Sequence, residues 1–218
     1  INYKINFKNQ NLDNTFDQRS KLEIYNDLKK TNKNLQITIA PMEVLRKNEL
    51  NELFPLSGIS NVKTIHCNEN GYFSIYDSDR YGFNNPDYEW DAKKIEYLLV
   101  GDSYTHGSCV NRPDDIASNL RNLSGQSVLN LGYSANGPLI EYAVLREYLS
   151  PNVKKILWLY YEGNDSIDLN LELKSEQLLK YYENLNYFQD LKNKQSEINQ
   201  LLISLVQKRK DRKKYACF

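Results

Sequence analysis

The hydrophobic pattern is most regular in the middle of the chain, where short apolar-rich runs alternate with stretches of helical spacing. Three such runs predict strands, over residues 95–100, 127–131 and 153–161. Two stretches between them place apolar residues on one helical face, over 113–123 and 138–149. Strand, helix, strand, helix, strand with short connections predicts a parallel sheet of the doubly wound type.

The regions on either side carry shorter and less regular patterns. Helical spacing and apolar–polar alternation predict the following elements before residue 92: helices over 17–30 and 42–54, and strands over 35–39, 62–66 and 72–76. Asn70-Gly71 is typical of a hairpin turn. After the third central strand, residues 169–214 predict one long helix or a helical pair.

These patterns predict an α/β protein in two parts. We expect residues 1–91 to form an N-terminal α+β flank with a small β excursion, and residues 92–218 to form the main α/β domain. The chain starts at Ile1 and reaches Phe218 without further strands to close the sheet. We therefore expect a C-terminally incomplete domain, cut from a longer protein, and a preceding signal peptide or membrane anchor stays open.

Composition excludes some classes of function. The chain has 28 Lys and Arg against 28 Asp and Glu, so its overall charge favours neither nucleic acid nor an acidic membrane. Its longest apolar runs are far too short to span a bilayer. We expect no nucleic acid partner.

The cysteines form no motif. Cys67, Cys109 and Cys217 are widely spaced and odd in number, and no Cys-x-x-Cys or Cys/His cluster accompanies them. A zinc site is therefore not expected. A disulfide framework is not expected in a chain of this length either, and Cys109 is interpreted as a small buried residue.

Polar turns follow each of the three central strands. They occupy residues 101–107, 132–138 and 162–165 and are rich in glycine, small hydroxyls, asparagine and aspartate. Ligands of parallel α/β sheets bind beyond the carboxyl ends of the strands. Because all three turns should open on that one edge, together they predict a polar site.

Ser103 in the first turn has the setting of a nucleophile. It directly follows a strand at a predicted helix start, where backbone N–H groups are unpaired. Gly101 allows a sharp turn there. Asn164, past the third strand, offers an amide donor for developing negative charge. The alternative is that Ser103 merely caps a helix, and the convergence of three turns favours the first interpretation.

These turns resemble the sequence blocks of SGNH (GDSL-like) hydrolases. Residues 100–107 (VGDSYTHG) resemble the block that carries the nucleophilic serine, and 130–138 (NLGYSANGP) the block that supplies a backbone N–H to the oxyanion hole. Residues 163–165 (GND) resemble the block whose asparagine adds a side-chain donor. The resemblance implies a flavodoxin-like three-layer α/β/α fold and cleavage of an ester. It assigns Ser103 as nucleophile and Asn164 as oxyanion donor.

Two features depart from the family pattern. The second-block glycine falls at Ala135, flanked by Gly132 and Gly137, so both Gly132 and Ala135 are candidates for the backbone donor. The Asp-x-x-His block that supplies the family's base is absent, and the two histidines, His66 and His106, lie outside any such pattern. We expect the chain itself to be inactive, with the missing block further downstream or lost in a pseudoenzyme.

The resemblance also bears on substrate and location. Residues 55–90 resemble the stretch before the serine block in a subgroup linked to bacterial surface polysaccharides, which implies an acylated carbohydrate or another small ester as substrate. No metal or organic cofactor is implied. The oligomeric state stays open. The compartment also stays open and is either the cell envelope or periplasm of a bacterium or its cytoplasm. The alternative function is a non-catalytic flavodoxin-like module that binds an anion or glycan at the Ser103 turn.

Overall fold

The computed structural model describes residues 16–47 and 53–215. Within these ranges the chain forms eight α-helices and six strands. The strands are β1 (Leu35–Ile37), β2 (Lys63–Ile65), β3 (Ile75–Asp77), β4 (Ile95–Gly101), β5 (Val128–Asn130) and β6 (Val153–Leu159). The helices are α1 (Lys21–Lys29), α2 (Pro41–Arg46), α3 (Ser103–His106), α4 (Ile116–Ser124), α5 (Pro138–Tyr148), α6 (Asp165–Glu172), α7 (Glu176–Glu183) and α8 (Gln195–Tyr215).

The central sheet is parallel and has the order β5-β4-β6. Leu98 of β4 lies opposite Leu129 of β5 and Ile156 of β6, which fixes the register. All three strands therefore end at the same edge. The protein is an α/β protein with a parallel sheet, as the alternation of apolar runs and helical stretches predicts.

Helices pack on both faces of β4 because its side chains alternate between them. Leu99 lies in a cluster with Ala117 of α4 and Val128. Leu98 lies in the main core with Ile140 and Val144 of α5. The two faces of β4 are thus covered by different helices.

A second, smaller sheet lies in the N-terminal part. In it β2 pairs in parallel with β1 and antiparallel with β3. Phe54 and Phe83 from this part of the chain belong to the same buried cluster as Leu98 of the central sheet. The division at residues 91 and 92 into flank and main domain stays a prediction.

Two helical predictions need correction. The helix expected over 42–54 ends at Arg46, residues 53 and 54 are not helical, and 48–52 lie outside the described residues. The region 169–214 forms parts of three helices, not one or two. Gln189 lies in the break between α7 and α8 and stabilises it with two hydrogen bonds. Its side-chain oxygen accepts from the Phe54 backbone amide at 2.9 Å, and its backbone amide donates to the Glu147 carboxylate at 2.6 Å.

The expectation that the cysteines form no disulfide is wrong for two of the three. Cys67 and Cys109 form a disulfide across 42 residues of sequence. Cys109 is buried as expected, but it is not a free thiol. Connectivity over such a distance depends on tertiary structure, which the spacing of cysteines does not encode. Cys217 lies outside the described residues.

Candidate active site

A cavity of about 790 Å³ opens at the carboxyl edge of the central sheet. Ser103, Ala135 and Asn164, one from each of the three strand-end turns, all contribute to its lining. The N-terminal part adds His66 and Cys67. Because the three strands are parallel, the three turns meet at one edge of the sheet. The prediction that Ser103 is a nucleophile with donors from the other two turns requires this arrangement.

Ser103 is the first residue of α3, directly after β4. Asp102 caps this helix, with its carboxylate accepting from the Tyr104 amide at 3.0 Å. Ser103 Oγ lies 3.4 Å from Asp102 Oδ2 and makes no other hydrogen bond within the described residues. A Cβ on Gly101 would lie 2.8 Å from the Leu159 carbonyl oxygen and 2.2 Å from Thr105 Oγ1, so only glycine allows this approach of β4 to β6 and α3.

Asn164 is held at the start of α6 by a chain of contacts. Its Nδ2 donates to Asp168 Oδ2 at 3.1 Å, and Asp168 Oδ1 accepts from Arg46 at 2.9 Å. A primary amide carries two N–H donors, so one remains for a ligand. Asn164 Oδ1 is buried and has no partner within the described part of the chain.

Ala135 adopts a left-handed backbone conformation, with φ of +63°. This region of backbone conformation favours glycine, since a side chain is strained there. Within the described residues the Ala135 amide makes no hydrogen bond. Gly132 differs, because its amide donates to Asn130 Oδ1 at 2.8 Å and it does not line the cavity. Of the two expected backbone donors, only Ala135 both lines the cavity and has an N–H without a hydrogen-bond partner in the described part of the chain.

Both histidines are buried beside the cavity. His106 Nδ1 accepts from the Ser134 amide at 3.1 Å, and its Nε2 lies 3.1 Å from the Tyr76 hydroxyl. Burial lowers the pKa of His106 to about 3, with a smaller effect from Lys21. Burial also lowers the pKa of His66 well below its usual range, reinforced by His106 and Lys21. Both rings are therefore neutral at physiological pH.

The sequence pattern does not predict a place for His66 at the cavity, because nothing in it links His66 to residues 103–108. In the structure its Nε2 lies 2.8 Å from Ser108 Oγ and 2.9 Å from Ser134 Oγ. The only sequence signal was the neighbouring Cys67, whose pairing with Cys109 would have connected the two segments.

The carboxyl groups of Glu141 and Glu172 are buried. Glu172 of α6 accepts from the amides of Gly137 and Leu139 at 2.7 and 2.8 Å. Burial raises its pKa to about 7, against the effect of these backbone donors. Glu141 accepts from Trp158 Nε1 at 2.6 Å, and burial raises its pKa to about 8, with Asp165 and Glu172 adding to the shift.

We expect Glu141→Gln to stabilise the protein at alkaline pH. Because the folded-state pKa is raised from 4.5 to about 8, the contribution of Glu141 to stability is fully present below pH 4.5 and lost as pH rises through 8. Glutamine keeps the acceptor for Trp158 and never ionises, but its amide lacks a second partner. The net gain should be about 1–2 kcal/mol at pH 9.

Urea unfolding at pH 5 and pH 9 measures this effect. The control is Glu183→Gln, which changes an exposed glutamate at the end of α7. An equal stability difference between Glu141→Gln and the parent at both pH values would contradict a raised pKa at Glu141.

Within the described residues, no group of three or more His, Cys, Asp or Glu side chains is arranged to hold a metal ion. In the same residues, no helix combines the length and apolar character needed to cross a bilayer.

Comparisons with family models, with curated proteins and with solved structures find no match to this chain. The functional assignment therefore depends on the three sequence blocks and on the cavity that their residues line.

Proposed function

We propose that the protein is a serine esterase or acyl transferase of the SGNH type, acting on an acylated carbohydrate or another small ester. The observation that carries this proposal is the meeting of Ser103, the Ala135 backbone and Asn164 at one cavity. The strand order β5-β4-β6 also supports it, because second-first-third is the order with which a flavodoxin-like sheet begins.

In the proposed reaction, Ser103 Oγ attacks the ester carbonyl carbon. The negative charge that develops on the carbonyl oxygen is stabilised by N–H groups of Ser103, Ala135 and Asn164. The alcohol leaves, and the acyl group on Ser103 passes to water or to a sugar hydroxyl. This chemistry needs no metal or organic cofactor.

The nucleophile still requires a base, since a serine hydroxyl is a weak nucleophile at neutral pH. Within the described residues, Ser103 Oγ contacts only the Asp102 carboxylate, which is itself engaged in capping α3. We therefore expect residues 1–218 to show no Ser103-dependent turnover. The same observation favours the alternative of a binding module that keeps the three turns without catalysis.

Hydrolysis of p-nitrophenyl acetate tests this expectation. Residues 1–218 and their Ser103→Ala variant should release p-nitrophenol at equal rates, because loss of an unactivated hydroxyl changes nothing. Turnover by the parent well above the variant would show that a base for Ser103 exists within this chain.

The protein encoded by the complete gene tests the function itself. That protein should contain an Asp-x-x-His block, and an active-site-directed fluorophosphonate should label its Ser103. A complete gene product without that block, and without labelling at Ser103, would favour the binding module.

A further inference from the structure

A serine–histidine pair lies in the same cavity and involves neither Ser103 nor Asn164. Ser108 follows α3 after Gly107, and its Oγ lies 2.8 Å from His66 Nε2. His66 comes from the N-terminal sheet region, where its Nδ1 lies 3.0 Å from Thr38 Oγ1. A nucleophile in contact with a base, and a base oriented by a third group, is the arrangement of an activated serine.

The hydrogen bonds assign the tautomer of His66. The Thr38 hydroxyl donates to the Ile65 carbonyl at 3.1 Å, so Thr38 Oγ1 is the acceptor for His66 Nδ1–H. The proton of the neutral ring is therefore on Nδ1, and Nε2 presents a lone pair to the serines. Burial keeps the ring neutral, because it lowers the pKa of His66. A neutral imidazole with its lone pair on the hydroxyl is competent as a base.

Ser108 is better suited than Ser134 to be the nucleophile. Ser134 Oγ also contacts His106 Nδ1 at 3.0 Å, and the Ser134 backbone donates to the same atom. Ser134 Oγ lies 2.5 Å from Ser108 Oγ. It can donate to Ser108 and stabilise charge that develops on that oxygen while Ser108 donates to His66.

Ser108 and His66 are both accessible from the cavity, and a disulfide joins the residues next to them. Both Ser108 and His66 line the cavity, and Ser108 is partly exposed. Cys67 directly follows His66 and Cys109 directly follows Ser108, so the disulfide joins the backbones immediately beside the two interacting side chains. The base and the hydroxyl are therefore held together by a bond between segments 42 residues apart.

We propose that Ser108 is a second nucleophilic serine of this cavity, with His66 as its general base and Thr38 as the residue that orients the base. Ser108 Oγ bonds to the carbonyl carbon of an ester while its proton passes to His66 Nε2. Collapse of the tetrahedral species expels the alcohol oxygen, which takes that proton, and leaves acyl-Ser108. With a fluorophosphonate, Oγ bonds to phosphorus, fluoride leaves, and the proton passes to His66.

The test is fluorophosphonate labelling of residues 1–218, mapped to the modified serine by mass spectrometry of proteolytic peptides. Ser108 should be the modified serine in the parent. Labelling should be absent in Ser108→Ala and at least about 100-fold slower in His66→Gln, the usual scale of general-base catalysis. Ser204→Ala is the control, because the exposed Ser204 hydroxyl on α8 donates to the Leu201 carbonyl and makes no other hydrogen bond in the described part of the chain.

The pH dependence of labelling provides a measurement that needs no variant. Because burial lowers the pKa of His66 below its usual range, the ring is neutral at pH 7, and the rate in the parent should stay within about twofold between pH 7 and pH 8. A rate that rises tenfold per pH unit would indicate hydroxide-dependent chemistry and overturn the proposal.

Other outcomes separate this inference from the proposed function. Labelling at Ser103 in place of Ser108 overturns the inference and leaves the Ser103 esterase standing. An unlabelled Ser108 in folded parent protein overturns the inference whatever the complete gene product does at Ser103. Labelling of Ser108 that persists undiminished in His66→Gln removes His66 as the base and overturns it as well.

Discussion

Replacing Asn164 by alanine should lower kcat about 10²–10³-fold in a form of the protein that turns over an ester, the usual loss for one oxyanion donor. Asn164 is well placed for this role, because Asp168 and Arg46 hold its amide at the cavity and leave one N–H free. KM should change much less, since the interaction strengthens only as charge develops on the carbonyl oxygen.

Steady-state kinetics on a p-nitrophenyl ester measures both parameters. Asn170→Ala is a matched control, because Asn170 lies exposed on the same helix and, among the residues that the structure describes, bonds only to the Ser166 carbonyl. It should leave kcat within about twofold of the parent. A raised KM with unchanged kcat in Asn164→Ala would assign Asn164 to ground-state binding and remove it from the oxyanion hole.

Loss of the Cys67–Cys109 bond should lower the free energy of unfolding by about 4 kcal/mol, since the bond closes a loop across 42 residues. That corresponds to about a thousandfold change in the ratio of folded to unfolded protein. The physical reason is that the bond lowers the conformational entropy of the unfolded chain far more than that of the folded one. In the folded chain both segments already lie side by side in the wall of the cavity.

Chemical denaturation of Cys67→Ser/Cys109→Ser beside the parent measures the difference. Cys217→Ser is the matched control, because it removes a thiol and leaves the bonded pair intact. Thiol titration of the unfolded, unreduced parent should find one free cysteine. Three free thiols, or equal stability of the double variant and the parent, would contradict this prediction.

The central α/β region could be predicted because each of its elements is encoded locally. The strand expected over 153–161 is β6 (Val153–Leu159), and the helix expected over 138–149 is α5 (Pro138–Tyr148). Strand-end turns in a parallel sheet must share an edge, so the approach of Ser103 and Asn164 to one cavity also followed from local pattern. The same reasoning could not choose between Gly132 and Ala135, because the choice depends on Asn130 accepting from the Gly132 amide.

Features created by distant segments could not be predicted. His66 meets Ser108 only because the small N-terminal sheet packs beside the Ser103 turn, and no periodicity in the chain encodes that packing. The break before α8 likewise depends on buried bonds from Gln189 to Phe54 and Glu147. The sequence pattern alone allows one long helix or a helical pair over 169–214, and it does not locate the break.

The Glu172 carboxylate links the two segments that carry the proposed oxyanion donors Ala135 and Asn164. Glu172 lies at the end of the helix that begins just after Asn164, and it accepts from the amides that follow the Ala135 turn. Folding therefore ties the two donors to one rigid support before any ester arrives. The entropy cost of ordering the two donors therefore arises once, when the protein folds, and not in each catalytic cycle. Electrostatic preorganisation requires donors that are ordered in this way before the substrate binds.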